Sequence, residues 1–365
     1  AVTQHDEAVP PRLGVAGFRE RPDQPRQYRH NEPDAQSIQK DAGQNESDGG
    51  LDGHGKQGVV NRRCNGRIID ETNPGGVAVR KRCAVAVNSE NLETRNHTMN
   101  FIPVTSASAS VLTSFLPAFG TGDANHSVGA LVTRASEHDT HYAVLENRLL
   151  IRWRPTAQAP MMWMMPMGET PDAALWRALE AESRRLGEPL RFWGTVPVMK
   201  AVLRAAFPER MLDVTTTEDW WDYLYEREAF VTLSGRALHG KRNFVKRFWA
   251  AHPAAEFMPL TRGNIPLCEA FLSDWYAAFG ELTDGLLAEK AAIVTAFQHW
   301  ETLGMTGGAL VEAGKVLGFT YGATVAPNMF AVHIEKAARS VTGAYPALSQ
   351  CLAKTLPDSV TVLNR

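Results

Sequence analysis

From Met99 onward, apolar positions recur with the periods of regular secondary structure. "NFIPV" alternates as a strand, and 106–116 reads as a short helix. "HYAVLE", "RLLIRWR" and "MMWMMPM" read as three further strands, the first two joined by a turn around Glu146–Asn147. "PDAALWRALEAESRRLG" is a helix: Pro171 opens it, Leu175, Leu179 and Leu186 mark its apolar face, and Gly187 stops it. The strand "LRFWG" and the helix "PVMKAVLRAAF", closed by Pro208, come next, and 210–226 supplies two more strands. The order then begins again. "AEFMPL" is a strand, 266–279 and 286–303 are helices, and 307–312, 315–325 and 329–336 are strands. "YPALSQCLAKTLP" is a helix and "VTVLN" a strand.

Each half therefore reads strand, helix or helices, three strands, helix, strand. This predicts an α/β (α+β) protein built from two copies of one unit with a mostly antiparallel sheet, the first over 99–214 and the second over 215–365. The same order of elements belongs to the GNAT acyltransferase fold. Residues 1–98 show no such pattern. They contain none of the nine tryptophans or eleven methionines, and only Phe18 and Tyr28 among aromatics. A stretch such as "DAGQNESDGGLDGHGKQG" cannot bury enough apolar surface to offset the entropy of ordering, so a disordered segment is expected. "GVAVRKRCAVAV" has strand character but no evident pairing partner. Met99, the first methionine, stands immediately ahead of the first patterned strand. Its position points to 1–98 as upstream sequence, with a disordered tail as the alternative reading.

Composition narrows the class. A 44% hydrophobic and 21% charged chain of 365 residues is ordinary for a globular protein, and a net charge of −2 requires any nucleic-acid contact to be local. Cys64, Cys83, Cys268 and Cys351 have no metal-ligand spacing, which argues against a disulfide scaffold or a zinc site. No apolar run reaches the roughly 20 residues of a membrane span, and no signal-peptide core is present. A cytoplasmic protein is expected.

Two passages carry a resemblance: "LSGRALHGKRNFVKRF", with its His-x-Lys-Arg-Asn core, and "VHIEKAARSVTGAYPALSQ". With "MNFIPVT" and "PLRFWG" in matching positions, they resemble the phosphatidylglycerol lysyltransferase C-terminal domain family over 99–365. The resemblance implies a tandem GNAT-like architecture and transfer of an amino acid from aminoacyl-tRNA to a lipid headgroup, here without the multi-span membrane domain. It also implies that the family pattern continues beyond Arg365 with an acidic pair, a glycine and a Lys-x-Ser-Tyr passage.

The candidate chemistry lies in those passages. In "FAVHIEKA", strict alternation puts His333 and Glu335 on one face. A solvated outer face is the bland explanation. The resemblance favours a pocket wall in which His333 is the general base and Glu335 orients it or binds a cationic amine. Lys336 then points to the other side as a structural residue. On the helix over 236–247, Phe244, Val245, Phe248 and Trp249 form an apolar stripe. Arg236, His239, Asn243, Lys246 and Arg247 lie opposite, Arg242 is at the margin, and Lys241 falls inside the stripe. This basic face is either simply solvated or binds the phosphates of tRNA or a lipid headgroup, with His239, Lys241, Arg242, Asn243 and Lys246 as substrate-binding candidates. Gly343 could open a loop for a phosphate, or simply start a helix. Tyr345 could donate to an oxyanion, although a packed aromatic suits it better.

CoA-dependent GNAT enzymes carry a Q/R-x-x-G-x-G/A loop after this strand. Only Arg339 and a Gly343-Ala344 pair at the wrong spacing stand here, which weakens CoA binding. The "MMWMMPM" run reads as a buried strand ahead of a lipid surface. "WWDYLYERE" reads as core aromatics with Asp222 and Glu226 at the rim, and His126, His138 and His141 show no ligand spacing. The expected activity is aminoacyl transfer from aminoacyl-tRNA to a lipid, peptide or protein acceptor, with no bound cofactor or metal. The alternatives are a CoA-dependent N-acyltransferase, or a non-catalytic module that docks RNA or anionic lipid.

Overall fold

The computed structural model describes residues 99–116, 122–195, 198–215 and 221–365, together with the backbone at 63–64, 67–68, 77–80 and 82–87. Among the described residues, strands β1 (Arg63–Cys64) and β2 (Arg67–Ile68) pair only with each other. Strands β3 (Val77–Arg80) and β4 (Arg82–Val87) are separated by Lys81 alone, yet each joins a different large sheet. This departs from the expectation that "GVAVRKRCAVAV" finds no partner. The alternating valine and alanine backbone completes the edge of one sheet and an interior position of the other. The disorder expected for the rest of 1–98 lies outside the described residues.

The first sheet holds β5 (Ile102–Pro103), β6 (His141–Leu145), β7 (Arg148–Trp153), β8 (Met162–Met164), β9 (Met167–Gly168), β10 (Leu190–Thr195) and β11 (Leu212–Thr215). Its order is β11-β4-β10-β8-β7-β6-β5, with β9 beside β7. Its helices are α1 (Ala109–Phe115), α2 (Val128–Thr133), α3 (Ala173–Arg185) and α4 (Val198–Ala206). Asp172 caps α3 by accepting the Leu175 N–H at 2.8 Å, and Gly187 ends that helix at φ 71°.

The second sheet runs β13-β14-β15-β16-β17-β12-β3. It is built from β12 (Asp222–Glu226), β13 (Glu256–Pro259), β14 (Thr306–Glu312), β15 (Lys315–Ala326), β16 (Met329–Ala337) and β17 (Val362–Asn364). Its helices are α5 (Arg227–Thr232), α6 (His239–Ala251), α7 (Ile265–Ala277), α8 (Asp284–Gln298) and α9 (Ala344–Thr355).

The two sheets follow one plan. β6–β7 and β14–β15 are antiparallel hairpins whose two turn residues both have positive φ, Glu146–Asn147 and Ala313–Gly314. In each unit the third hairpin-side strand then pairs in parallel with the strand after the crossover helix: β8 with β10 across α3, and β16 with β17 across α9. This is the repeated GNAT-like layout expected from the order of elements. The chain leaves the first sheet at Thr215 and enters the second at Asp222.

The main core lies between the sheets. Leu112, Leu131, Leu149 and Ile151 of the first half pack with Leu272, Ile293, Phe297, Trp300, Phe319 and Tyr321 of the second. The outer face of the first sheet is closed by α3 and α4 around Trp163, Leu179, Phe192 and Leu203. The outer face of the second is closed by α9, α6 and α5. Met161, Met162, Met164 and Met167 are all buried, so the methionine run is core, as its composition suggested. Asp222, expected at a rim, is 3% exposed and belongs to the interior. No helix among the described residues is long and apolar enough to cross a membrane.

Candidate active site

The site lies along β16, past the stretch that pairs with β17. β16 is paired to β15 over its whole length, but to β17 only from Met329–Ala331 against Val362–Asn364. Alongside β16, past Ala331, lies a cavity of ≈ 170 Å³. Glu289, Val332, His333, Ile334, Glu335, Lys336 and Arg365 line it. A smaller hollow adjoins it, lined by Phe230, Glu335, Ser349 and Arg365 among others.

A β-bulge decides which side chains face which way. Tyr321 pairs with Ile334 and Gly322 with Val332, so His333 is the extra residue in the ladder. The bulge reverses the alternation. Phe330, Val332 and Ala337 pack on the outer side with Leu352 or Leu348 of α9, and Glu335 meets Ser349 of the same helix. His333, Ile334 and Lys336 instead face the middle layer, toward Ser127, the main core and α8. The expected sharing of one face by His333 and Glu335 is therefore corrected, because a bulge breaks the period-2 rule on which it rested. Lys336 is corrected with it: it lies on the side of His333 and in the wall of the cavity.

Each group has a defined partner. His333 Nε2 is 2.8 Å from Ser127 Oγ, and Ser127 caps α2 by accepting the Ala130 N–H at 2.9 Å. Enclosure by the protein, and secondly the Arg134 guanidinium, push the His333 pKa from the ordinary 6.5 to about 4. The ring is thus neutral at pH 7. Glu335 does not orient it. Its carboxylate accepts from Ser349 Oγ at 2.9 Å and from Arg365 Nη2 at 3.0 Å, and Arg365 Nη1 also donates to Ser349 at 3.1 Å. Lys336 is 1% exposed. Its ammonium donates to Glu289 Oε1 at 2.7 Å and lies 4.2 Å from the centre of the Trp275 ring. Tyr276 donates to the same carboxylate oxygen at 2.8 Å. Burial lowers the Lys336 pKa, while Glu289 opposes that shift. Two ion pairs, Lys336–Glu289 and Arg365–Glu335, thus line the same cavity as His333.

Residues 118–364 match the family described as phosphatidylglycerol lysyltransferase, C-terminal. The chain belongs to this family. A conserved protein of unknown function from Bacteroides thetaiotaomicron is 29% identical, with a TM-score of 0.68, over 73% of this chain and 90% of its own. The C-terminal domain of a candidate lysylphosphatidylglycerol synthetase from Agrobacterium fabrum is 16% identical, with a TM-score of 0.47, over 71% and 78%. A tandem GNAT protein from the clavulanic acid biosynthesis pathway is 11% identical, with a TM-score of 0.35, over 73% and 89%. The last two superpose too loosely for residue-level comparison. No curated protein matches the chain.

The other residues singled out in the family passages lie elsewhere. α6 begins at His239, and Arg236 belongs to the preceding turn. Val245 and Phe248 are buried as expected, but Phe244 is 45% exposed beneath Arg247, whose guanidinium sits 5.9 Å from its ring. Arg242 is tied to the carbonyls of Leu233 and Gly235, which makes it a clamp on the turn before the helix. Asn243 and His239 are 3.4 Å apart on the exposed side, Lys246 is exposed, and Lys241 is half-buried. None of these lines the cavity.

Gly343 caps α9 at φ 83°, and a Cβ there would stand 2.3 Å from the Phe244 carbonyl oxygen. Its role is the close approach of α6 to α9. Gly343→Ala should lower stability by at least about 1–2 kcal/mol, the usual cost of a left-handed non-glycine residue, read as a shift of the denaturant midpoint. Tyr345 packs with Phe248 and Leu348. Burial raises its pKa, and a hydrogen bond with the Ala337 backbone opposes the shift. Ser127, Glu289, Ser349 and Arg365 were not singled out from sequence. Only the Ser-then-apolar start of α2 carried a local signal. Among the described residues no group of three or more His, Cys, Asp or Glu side chains is placed to hold a metal ion.

Proposed function

We propose that the chain is an acyltransferase that moves an aminoacyl group from the ester of an aminoacyl-tRNA to a hydroxyl or amine, at the cavity along β16. The observation that carries this reading is His333, a residue that the β15–β16 ladder skips, with a neutral imidazole in the cavity wall. In the proposed step the acceptor's oxygen or nitrogen attacks the ester carbonyl while His333 takes its proton. The tetrahedral adduct then collapses and releases the ribose hydroxyl, which recovers a proton from the imidazolium. The cationic groups of Lys336 and Arg365 stand in the same walls, where developing negative charge on the carbonyl oxygen is favoured. The cavity is below the volume usual for a drug-sized ligand, which suits the aminoacyl end of the donor and leaves the nucleotide outside. The exposed basic side of α6 supplies charge for the donor's phosphates.

The test is a charging-state assay. The protein is incubated with mixed charged tRNA and either anionic lipid vesicles or amine acceptors, and the loss of each aminoacyl ester is followed. Consumption of one ester with product on the acceptor is expected. Consumption of acyl-CoA with every aminoacyl ester left intact would replace this reading by the CoA-dependent one. Two further results are expected. Because protonation inactivates the base and its pKa is about 4, kcat/KM should stay flat from neutrality down to about pH 5 and fall through about pH 4. A limb near pH 6.5 would point to another group. Lys246→Ala should weaken donor binding and lower the slope of log affinity against log salt by about 0.7–0.9, one phosphate contact.

A further inference from the structure

A histidine on a bulge can act as a base only if it is held to a single orientation and tautomer. We infer that Ser127, from the first half of the chain, is a positioning residue for His333: its hydroxyl oxygen accepts the Nε2 proton and leaves Nδ1 as the basic nitrogen at the cavity. The inference rests on the acyl-transfer reading. Nε2 is occupied by Ser127 at 2.8 Å, so the ring nitrogen left to receive a proton from an acceptor is Nδ1. A neutral imidazole carries one proton, and a basic Nδ1 requires that proton to be on Nε2. Ser127 Oγ is then the acceptor in the pair. A hydroxyl oxygen has two acceptor sites, and the second takes the Ala130 N–H at 2.9 Å.

The tether is rigid because Ser127 is 1% exposed and caps α2, whose Leu131 and Val132 are buried with Ile293, Phe297 and Trp300 of the second half. This is also a physical reason for the two units to share a core. The bulged residue has no ladder partner of its own, so its ring is fixed by a side chain from the other unit. The charged groups around the imidazole are Arg134 at the end of α2, held by Glu137, and Glu289, Glu335, Lys336 and Arg365 in the cavity walls.

The experiment has a spectroscopic and a kinetic arm on the full chain. Long-range proton–nitrogen correlation on protein labelled with ¹⁵N-histidine, with His333 assigned by its loss in His333→Ala, should show Nε2 protonated and Nδ1 unprotonated at pH 7. A ring protonated at Nδ1 overturns the inference. In the charging-state assay Ser127→Ala should lower kcat by up to about 10²-fold with KM unchanged, the cost of misplacing a catalytic group. Ser127→Thr, which keeps both the helix cap and the oxygen, should restore it. A folded Ser127→Ala protein with wild-type kcat means that Ser127 only caps α2, and overturns the inference. If Ser127→Ala does not fold, the tautomer of the wild-type ring still decides. Full turnover by His333→Ala would instead overturn the acyl-transfer reading itself. An inactive His333→Ala beside a ring protonated at Nδ1 would remove only the role given to Ser127.

Discussion

His333→Ala is expected to lower the turnover of aminoacyl transfer by about 10²–10⁴, the usual share of a positioned general base. The loss should fall on kcat and kcat/KM alike, because the imidazole is asked to act on the proton that moves in the transition state and not on either bound substrate. Substitution to alanine breaks no ladder bond, since His333 is the residue the ladder skips. Thermal unfolding of the variant should therefore stay close to wild type, which separates lost chemistry from a lost fold. The remaining activity should also lose its acid limb near pH 4, because the group that titrates there is gone. A variant that keeps wild-type kcat and this limb would show that the neutral imidazole in the cavity wall is a packing residue.

Much of the fold could be read from period alone, and the candidate site only in part. Amphipathic helices such as α3 and α9, and the strands of both hairpins, announced themselves because burial of one face imposes 3.6 or 2.0 residue spacing. The repeat followed from their order. β3 and β4 did not, because short valine–alanine strands gain their stability from partners more than a hundred residues away. The position of His333 in a cavity wall was anticipated, but its company was not. A single-residue bulge exchanged Glu335 for Lys336 as its neighbour on that face, and nothing in "VHIEKA" signals a skipped ladder position. Ser127, 206 residues away, entered the site through packing of α2 into the shared core. Lys241 and Arg242 stood out in the sequence because cations beside an apolar stripe are unusual. The structure spends Arg242 on two backbone carbonyls of the preceding turn.

The buried pair beside the cavity carries the largest expected effect on stability. Lys336 is 1% exposed, and its ammonium is held by Glu289 at 2.7 Å and by the face of Trp275. Glu289→Ala would leave that ammonium in the core without its counter-charge, and would strip Tyr276 of its acceptor. Removing one partner of a buried pair typically costs about 3–5 kcal/mol, because the desolvation of the remaining charge is no longer offset. Urea unfolding of Glu289→Ala should show a loss of that order. Two comparisons identify its cause. Glu289→Gln keeps an oxygen for both donors but removes the charge, so its loss should be smaller. Lys336→Met with Glu289→Ala removes the stranded cation, and should recover most of the stability even though it deletes more polar atoms. The Lys336 pKa, already lowered by burial, should fall further in Glu289→Ala as the raising influence of the carboxylate disappears. The variant should then gain stability with rising pH, relative to wild type, up to the ordinary range of a lysine. The unfolded chain binds the Lys336 proton there and the folded chain has released it, so deprotonation favours folding. A Glu289→Ala protein with an unchanged urea midpoint at pH 7 would mean that the ammonium already finds solvent or another anion through the cavity, and that the pair contributes nothing to the fold.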